Sequence, residues 1–169
     1  PPSRSDDALT AGPDREVVGP GEAEVRAGRV EVTHEIAERA EIRPVGPDDL
    51  ADVRSLHATS FRLLAGGSFT EEEIAAFTAH VYSISYTTAL SEAMQRQQIF
   101  GARIDNELVG TAGWVAGDGS AATARIRWVF VRPMFTGIGL GTRLVRVAEA
   151  AAQRAGFDTL SVEATLNAV

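Results

Sequence analysis

The chain has 169 residues, of which 44% are apolar and 23% charged, with a formal net charge of −7. This is the length of one ordinary domain with a short extension, and no apolar run approaches the ~18 residues of a membrane span. There is no cysteine and all 16 basic residues are arginine, so a disulfide scaffold, a thiolate-bound metal, a cysteine nucleophile, a phosphate-loop lysine and Schiff-base chemistry are excluded.

The acidic balance argues against a broad nucleic-acid-binding face. What remains is a soluble, cytoplasmic α/β or α+β domain with no membrane partner. Residues 1–40 differ from the rest. They hold four of the seven prolines (Pro1, Pro2, Pro13, Pro20), nine acidic residues against five arginines, and no aromatic residue. Such a stretch cannot bury enough apolar surface to offset its ordering entropy, so a disordered tail is expected. Within it, Val30–Ile36 alternates in the manner of a short strand. The tail lacks the apolar centre of a secretory signal. Residues 41–169 form the expected domain.

Glu41–Val45 reads as a strand stopped by Pro44 and the Gly46-Pro47 turn. Asp48 can then cap a helix whose Leu50, Val53, Leu56 and Phe61 share a face. Thr70-Glu71-Glu72-Glu73 is a capping box, followed at helical spacing by Ile74, Phe77 and Val81. A third short helix is expected around Leu90–Arg96. The period then becomes extended, with strands over Ile99–Ile104, Leu108–Val115 and Ala124–Val131, and turns at Asp105-Asn106 and Gly117–Gly119. A long helix comes next, from about Gly139 to Ala155, with Leu140, Leu144 and Val147-Ala148 inward. Gly156 caps it, and Thr159–Ala164 is a last strand.

The strongest chemical signal lies between the third of those strands and the long helix, in Val131-Arg132-Pro133-Met134-Phe135-Thr136-Gly137-Ile138-Gly139-Leu140-Gly141-Thr142. Glycines allow close backbone approach to a ligand, and a helix N-terminus carries about half a positive charge. A phosphate or pyrophosphate is the expected occupant. The spacing G-x-G-x-G departs from the G-x-G-x-x-G of dinucleotide sites, and the lysine of a Walker loop is absent.

This stretch resembles the signature of the Gcn5-related N-acetyltransferase (GNAT) superfamily: a strand ending in V-x-P, then [QR]-x-x-G-x-[GA] opening a helix that ends in glycine. Val131-Arg132-Pro133, Gly139, Gly141 and Gly156 match it. Thr136 stands where the family usually has glutamine or arginine, and Gly137-Ile138 where it often has a basic pair. The resemblance spans about residues 42–169. It implies an α/β fold of the α+β kind: a GNAT-like, mixed, mostly antiparallel sheet flanked by helices. Against that pattern the chain stops before the family's final helix and hairpin.

The resemblance further implies acetyl-CoA as donor, with no metal, and an amine of a small molecule or peptide as acceptor. The backbone of Val129, Phe130 and Val131 would pair with pantetheine. Amides of Gly137, Ile138, Gly139, Leu140, Gly141 and Thr142 would hold the pyrophosphate. Arg132 and Arg143 are candidates for the adenosine 3′-phosphate, or are solvated surface.

Acetyl transfer to an amine needs a base for the ammonium and an acid for the leaving thiolate. The strand before the loop carries no carboxylate. Glu163 is the candidate base, with a solvated edge residue as the alternative reading. His80, Tyr82 and Tyr86 follow the second helix, where the family shapes its acceptor pocket. His34 and His57 read as structural, Trp114 and Trp128 as core, and no two histidines have metal-ligand spacing. An N-acetyltransferase ranks first, a non-catalytic acyl-CoA-binding or sensing module of the same fold second, and an unrelated nucleotide-binding protein third. The oligomeric state stays open, a homodimer included.

Overall fold

The computed structural model describes residues 35–117 and 122–162. A helical turn, α1 (residues 35–39), leads into β1 (Glu41–Pro44), followed by a 3₁₀ turn at Pro47–Asp49 and helices α2 (Leu50–Leu64), α3 (Glu71–Val81) and α4 (Ile84–Gln95). Three strands come next, β2 (Ile99–Ile104), β3 (Glu107–Ala116) and β4 (Thr123–Val131), then α5 (Leu140–Arg154) and β5 (Thr159–Val162). The five strands form one sheet in the order β1-β2-β3-β4-β5. All neighbours are antiparallel except β4 and β5, which run parallel. The mixed, mostly antiparallel sheet between helices that the family resemblance implies is present.

Local chemistry sets the element ends. At α3 the Thr70 hydroxyl accepts from the Glu73 amide at 3.2 Å, while Glu73 Oε2 accepts from the Thr70 amide at 2.8 Å. This is the reciprocal box read in the sequence. Its hydrogen bonds hold the Glu73 carboxyl below the usual carboxylate range. At the other end of α5, Gly156 (φ 93°) donates to Gln153 and Phe157 donates to Ala152, which closes the helix as a Schellman motif. Helix α4 begins at Ile84, earlier than the apolar spacing suggests, because the Ser83 side chain caps it by accepting from the Tyr86 amide.

Two cores lie on opposite faces of the sheet. On one, α5 presents Leu140, Leu144, Ala148 and Ala152, all fully buried, to Ala112, Trp114 and Ile126. Each such leucine contributes roughly 1.5–3 kcal/mol on burial. On the other, Val53 and Leu56 of α2, Val81 of α3, and Leu90 and Met94 of α4 pack on Ile99, Leu108 and Trp128.

Part of the acidic N-terminal stretch belongs to this body. Ala37 and Ala40 are buried, and the Arg143 guanidinium donates to the carbonyls of both. Through Arg143, α1 and the residue after it are tied to α5. Residues 35 and 36 are helical rather than extended, and residues 1–34 lie outside the described residues.

Candidate acyl-CoA site

The site begins with an irregularity in β4. Thr111 pairs with Phe130 but Gly113 pairs with Arg127, so β4 carries one residue more than β3 across this interval. The extra residue is accommodated at Trp128, whose φ is 56°. A non-glycine residue there costs of order 1–2 kcal/mol. A bulge reverses which face each later side chain meets. Ile126 faces α5, whereas Trp128 lies in the opposite core and Phe130 stacks on His57 of α2. Trp114 and Trp128 are both buried, as expected, but on opposite faces of the sheet.

The pairing of β4 with β5 extends to Ile126↔Val162 among the described residues, while the strand itself continues to Val131. The chain then turns through Pro133–Phe135, closed by Thr136 donating to the Pro133 carbonyl through both amide and hydroxyl. Gly137 (φ 75°) and Gly139 (φ 83°) supply left-handed backbone, and Gly139 is the N-cap of α5 with no side-chain cap. Among the described residues, the amides of Gly137 through Thr142 donate to no protein acceptor. The positive end of the α5 dipole is directed at the same place.

These unpaired donors open onto a cavity of about 710 Å³. Its floor is Val129, Phe130 and Val131; one end is formed by Thr136, Gly137, Gly139, Gly141 and Thr142. The other end is apolar, formed by Phe61, Leu64, Ala65 and Phe69 around the α2–α3 connection. Phe61 stacks on Phe77 with centroids 3.9 Å apart, and Phe77 in turn reaches Phe130 at 6.1 Å. The cavity is polar through backbone at one end and aromatic at the other.

Seven of the nine loop and strand residues expected at the cofactor line this cavity. The other two, Ile138 and Leu140, turn their side chains into the α5 core and can contribute only backbone. Neither arginine proposed for a phosphate is free. Arg132 donates to the Leu108 carbonyl at 2.9 Å and pairs with Glu107 at 3.2 Å, while Arg143 is engaged with α1.

The three acceptor-pocket candidates separate. His80 is exposed at the end of α3, and Tyr82 is exposed beneath the Arg54 guanidinium at 4.7 Å. Tyr86 is buried, and burial pushes its hydroxyl well above the usual phenol range. None of the three lines the cavity, although the His80 and Tyr86 rings meet at 5.2 Å. Glu163 lies outside the described residues. No local sequence motif marks the apolar wall or the partners of His57. His57 Nδ1 is 2.9 Å from the Tyr86 hydroxyl and Nε2 is 2.8 Å from Thr111 Oγ1, which donates to the Trp128 carbonyl at 2.8 Å. Among the described residues, no cluster of three metal-ligating side chains is found and no helix is long and apolar enough to cross a membrane.

The bulged β4 leads directly into a turn of unpaired amides at the start of α5. The sequence model of the acetyltransferase (GNAT) family matches residues 56–169, and the chain belongs to that family. No curated protein matches the sequence significantly. Solved structures do. A PaiA N-acetyltransferase from Thermoplasma acidophilum, in complex with coenzyme A, is similar at 22% identity and TM-score 0.64, over 76% of this chain and 82% of that one. A GCN5-related N-acetyltransferase from Rhodopseudomonas palustris is similar at 25% identity and TM-score 0.63, over 76% and 75%. A GNAT family acetyltransferase from Brucella melitensis, in complex with acetyl-CoA, aligns at 18% identity and TM-score 0.55, over 76% and 78%.

Proposed function

We propose that the chain is an N-acetyltransferase that takes the acetyl group from acetyl-CoA and transfers it to a primary amine of a small molecule or peptide. The observation that carries this is the row of unpaired amides from Gly137 to Thr142 at the mouth of the cavity. The pyrophosphate would accept from those amides, with the helix dipole adding to each bond. Pantetheine would lie along Val129–Val131, which line the cavity. In the transfer, the amine nitrogen attacks the thioester carbonyl carbon, a C–N bond forms and the C–S bond breaks. The proton lost from nitrogen is taken by a base, and the sulfur leaves as thiolate and gains a proton. Glu163, next in sequence after the end of β5, is the proposed base. His80 and Tyr82, on the exposed end of α3, are proposed to meet the acceptor.

Isothermal titration with acetyl-CoA tests the binding half. Release of free CoA thiol in the presence of a panel of primary amines tests the transfer. Absence of heat at tens of micromolar acetyl-CoA would remove the proposal. A second reading, an acyl-CoA-binding or sensing module, is favoured by the cavity lining, which has no carboxylate, histidine or tyrosine among the described residues. It predicts binding of acetyl-CoA with no amine-dependent thiol release.

A further inference from the structure

Beneath the cavity floor runs a buried chain of hydrogen bonds with one member on each of four elements. Tyr86 comes from α4, His57 from α2, Thr111 from β3 and Trp128 from β4. His57 and Thr111 are fully buried. The direction of every bond is set by its last member. The Trp128 carbonyl can only accept, so the single Thr111 hydroxyl proton is spent on it, at 2.8 Å. Toward His57 Nε2, 2.8 Å away, Thr111 Oγ1 must then accept, which puts a proton on Nε2. A neutral imidazole has its lone pair on the other nitrogen, so Nδ1 accepts from the Tyr86 hydroxyl at 2.9 Å.

We propose that His57 is a positioning residue, a neutral imidazole protonated on Nε2 that fixes, through Thr111, the Trp128 carbonyl and thus the β4 bulge under the cavity. The proposal rests on the acyl-CoA reading of that cavity. The bulge is where β4 needs outside support, because Trp128 sits at φ 56° and the register with β3 slips there. It also sets the direction of the next three residues, Val129, Phe130 and Val131, which form the cavity floor. His57 holds the floor a second time, through the stack of its ring on Phe130 at 4.3 Å and 28°.

The surroundings keep the imidazole neutral. Burial alone pulls its pKa down to about 3. The groups facing it are Tyr86, Thr111 and Phe130. Beyond them, the His80 ring touches Tyr86, and the Arg127 charge acts on the Tyr86 hydroxyl. A residue that only filled space here would require no defined tautomer and no hydroxyl at position 111.

Long-range ¹H–¹⁵N spectra of the uniformly labelled parent protein test the assignment directly. The expected result is a His57 imidazole with its proton on Nε2, unchanged from pH 8 down to pH 5. An imidazolium at pH 5, or a proton on Nδ1, would overturn the proposal. The second arm uses acetyl-CoA as the probe, with two variants. Thr111→Val is expected to shift the backbone resonances of Trp128 and Val129 and to weaken acetyl-CoA binding at least tenfold. Thr111→Ser, which keeps the hydroxyl, is expected to bind within twofold of the parent. Equal loss in both variants, or parental binding by Thr111→Val, would overturn the positioning role. If Thr111→Val does not fold, the tautomer of the parent still decides. If the parent binds no acetyl-CoA, the acyl-CoA reading fails, and the spectra alone decide whether His57 holds the bulge.

Discussion

Replacing Gly139 by valine separates the loop's own stability from its ligand-binding role. Gly139 has φ 83°, and a Cβ built there meets nothing within 4 Å. The protein therefore resists the substitution only through backbone conformation, not through a clash with a neighbouring strand. A left-handed L-residue costs about 1–2 kcal/mol. For a domain of this size that lowers Tm by roughly 2–8 °C, measurable by scanning fluorimetry. The ligand loses more. If the backbone relaxes away from the left-handed region, the amides around it turn from their common direction, and a charge-assisted bond is worth about 1.5–3 kcal/mol. Losing two weakens acetyl-CoA by at least about a hundredfold at ~1.4 kcal/mol per factor of ten, read by titration calorimetry. Gly141→Ala is the control. Its Cβ would stand 3.6 Å from Val131 Cγ2, an ordinary contact, on helical backbone. It should gain about 0.5–1 kcal/mol in stability and keep acetyl-CoA binding. A folded Gly139→Val protein that binds acetyl-CoA like the parent would refute the role assigned to the loop.

His57 makes stability depend on acid. Its folded pKa, about 3, lies below its ordinary 6.5. The unfolded chain therefore binds the extra proton between those values, and the contribution is whole above pH 6.5 and lost as pH falls toward 3. The slope is about 1.4 kcal/mol per pH unit, so urea unfolding at pH 7 and pH 5 should differ by about 2 kcal/mol more in the parent than in His57→Gln. Equal differences would count against the burial of a neutral imidazole. Gly113→Ala should destabilise by about 1–3 kcal/mol in chemical denaturation, since its Cβ would lie 2.9 Å from the Gln98 carbonyl and 3.0 Å from the Trp128 ring. Parental stability would show that the bulge has room to spare. Thr70→Ala should cost about 1 kcal/mol as a lost helix cap. Because Thr70 holds the Glu73 carboxyl below its ordinary 4.5, that bond stabilises above pH 4.5 and is lost as pH falls below it. The thermal difference between parent and Thr70→Ala should accordingly shrink in acid.

Where a residue's role is set by its immediate neighbours in sequence, it was legible in advance. The Thr70–Glu73 box, the Gly156 cap and the glycine turn before α5 are each closed within a few residues, so their partners stand beside them in the chain. The strands could be read from alternation and the element order from the punctuation between them. What escaped depended on contacts between distant elements. Arg132 and Arg143 look like phosphate ligands beside a glycine loop, yet Glu107 with Leu108, and Ala37 with Ala40, claim them across the fold. Tyr86 looks like a pocket residue beside Tyr82, but the turn of α4 carries its ring inward to His57.

The bulge is the sharpest case, because the sequence around it points the other way. Ala124-Arg125-Ile126-Arg127-Trp128 alternates without a break, and by period alone Trp128 should share the face of Ile126. It lies on the opposite face because β4 holds one residue more than β3 across that stretch, a property of the pair of strands and not of either one. Thr111 holds that extra residue from 17 positions away along the chain, and His57 holds Thr111 from 54 positions away. Gly113 leaves room for the displaced indole. A polar residue buried on an apolar helix stripe is therefore informative when its partners lie on a strand that breaks its own alternation. In this protein the break in β4 turns Val129–Val131 toward the unpaired amides of α5, so the part of the site least visible in the sequence joins its two legible halves.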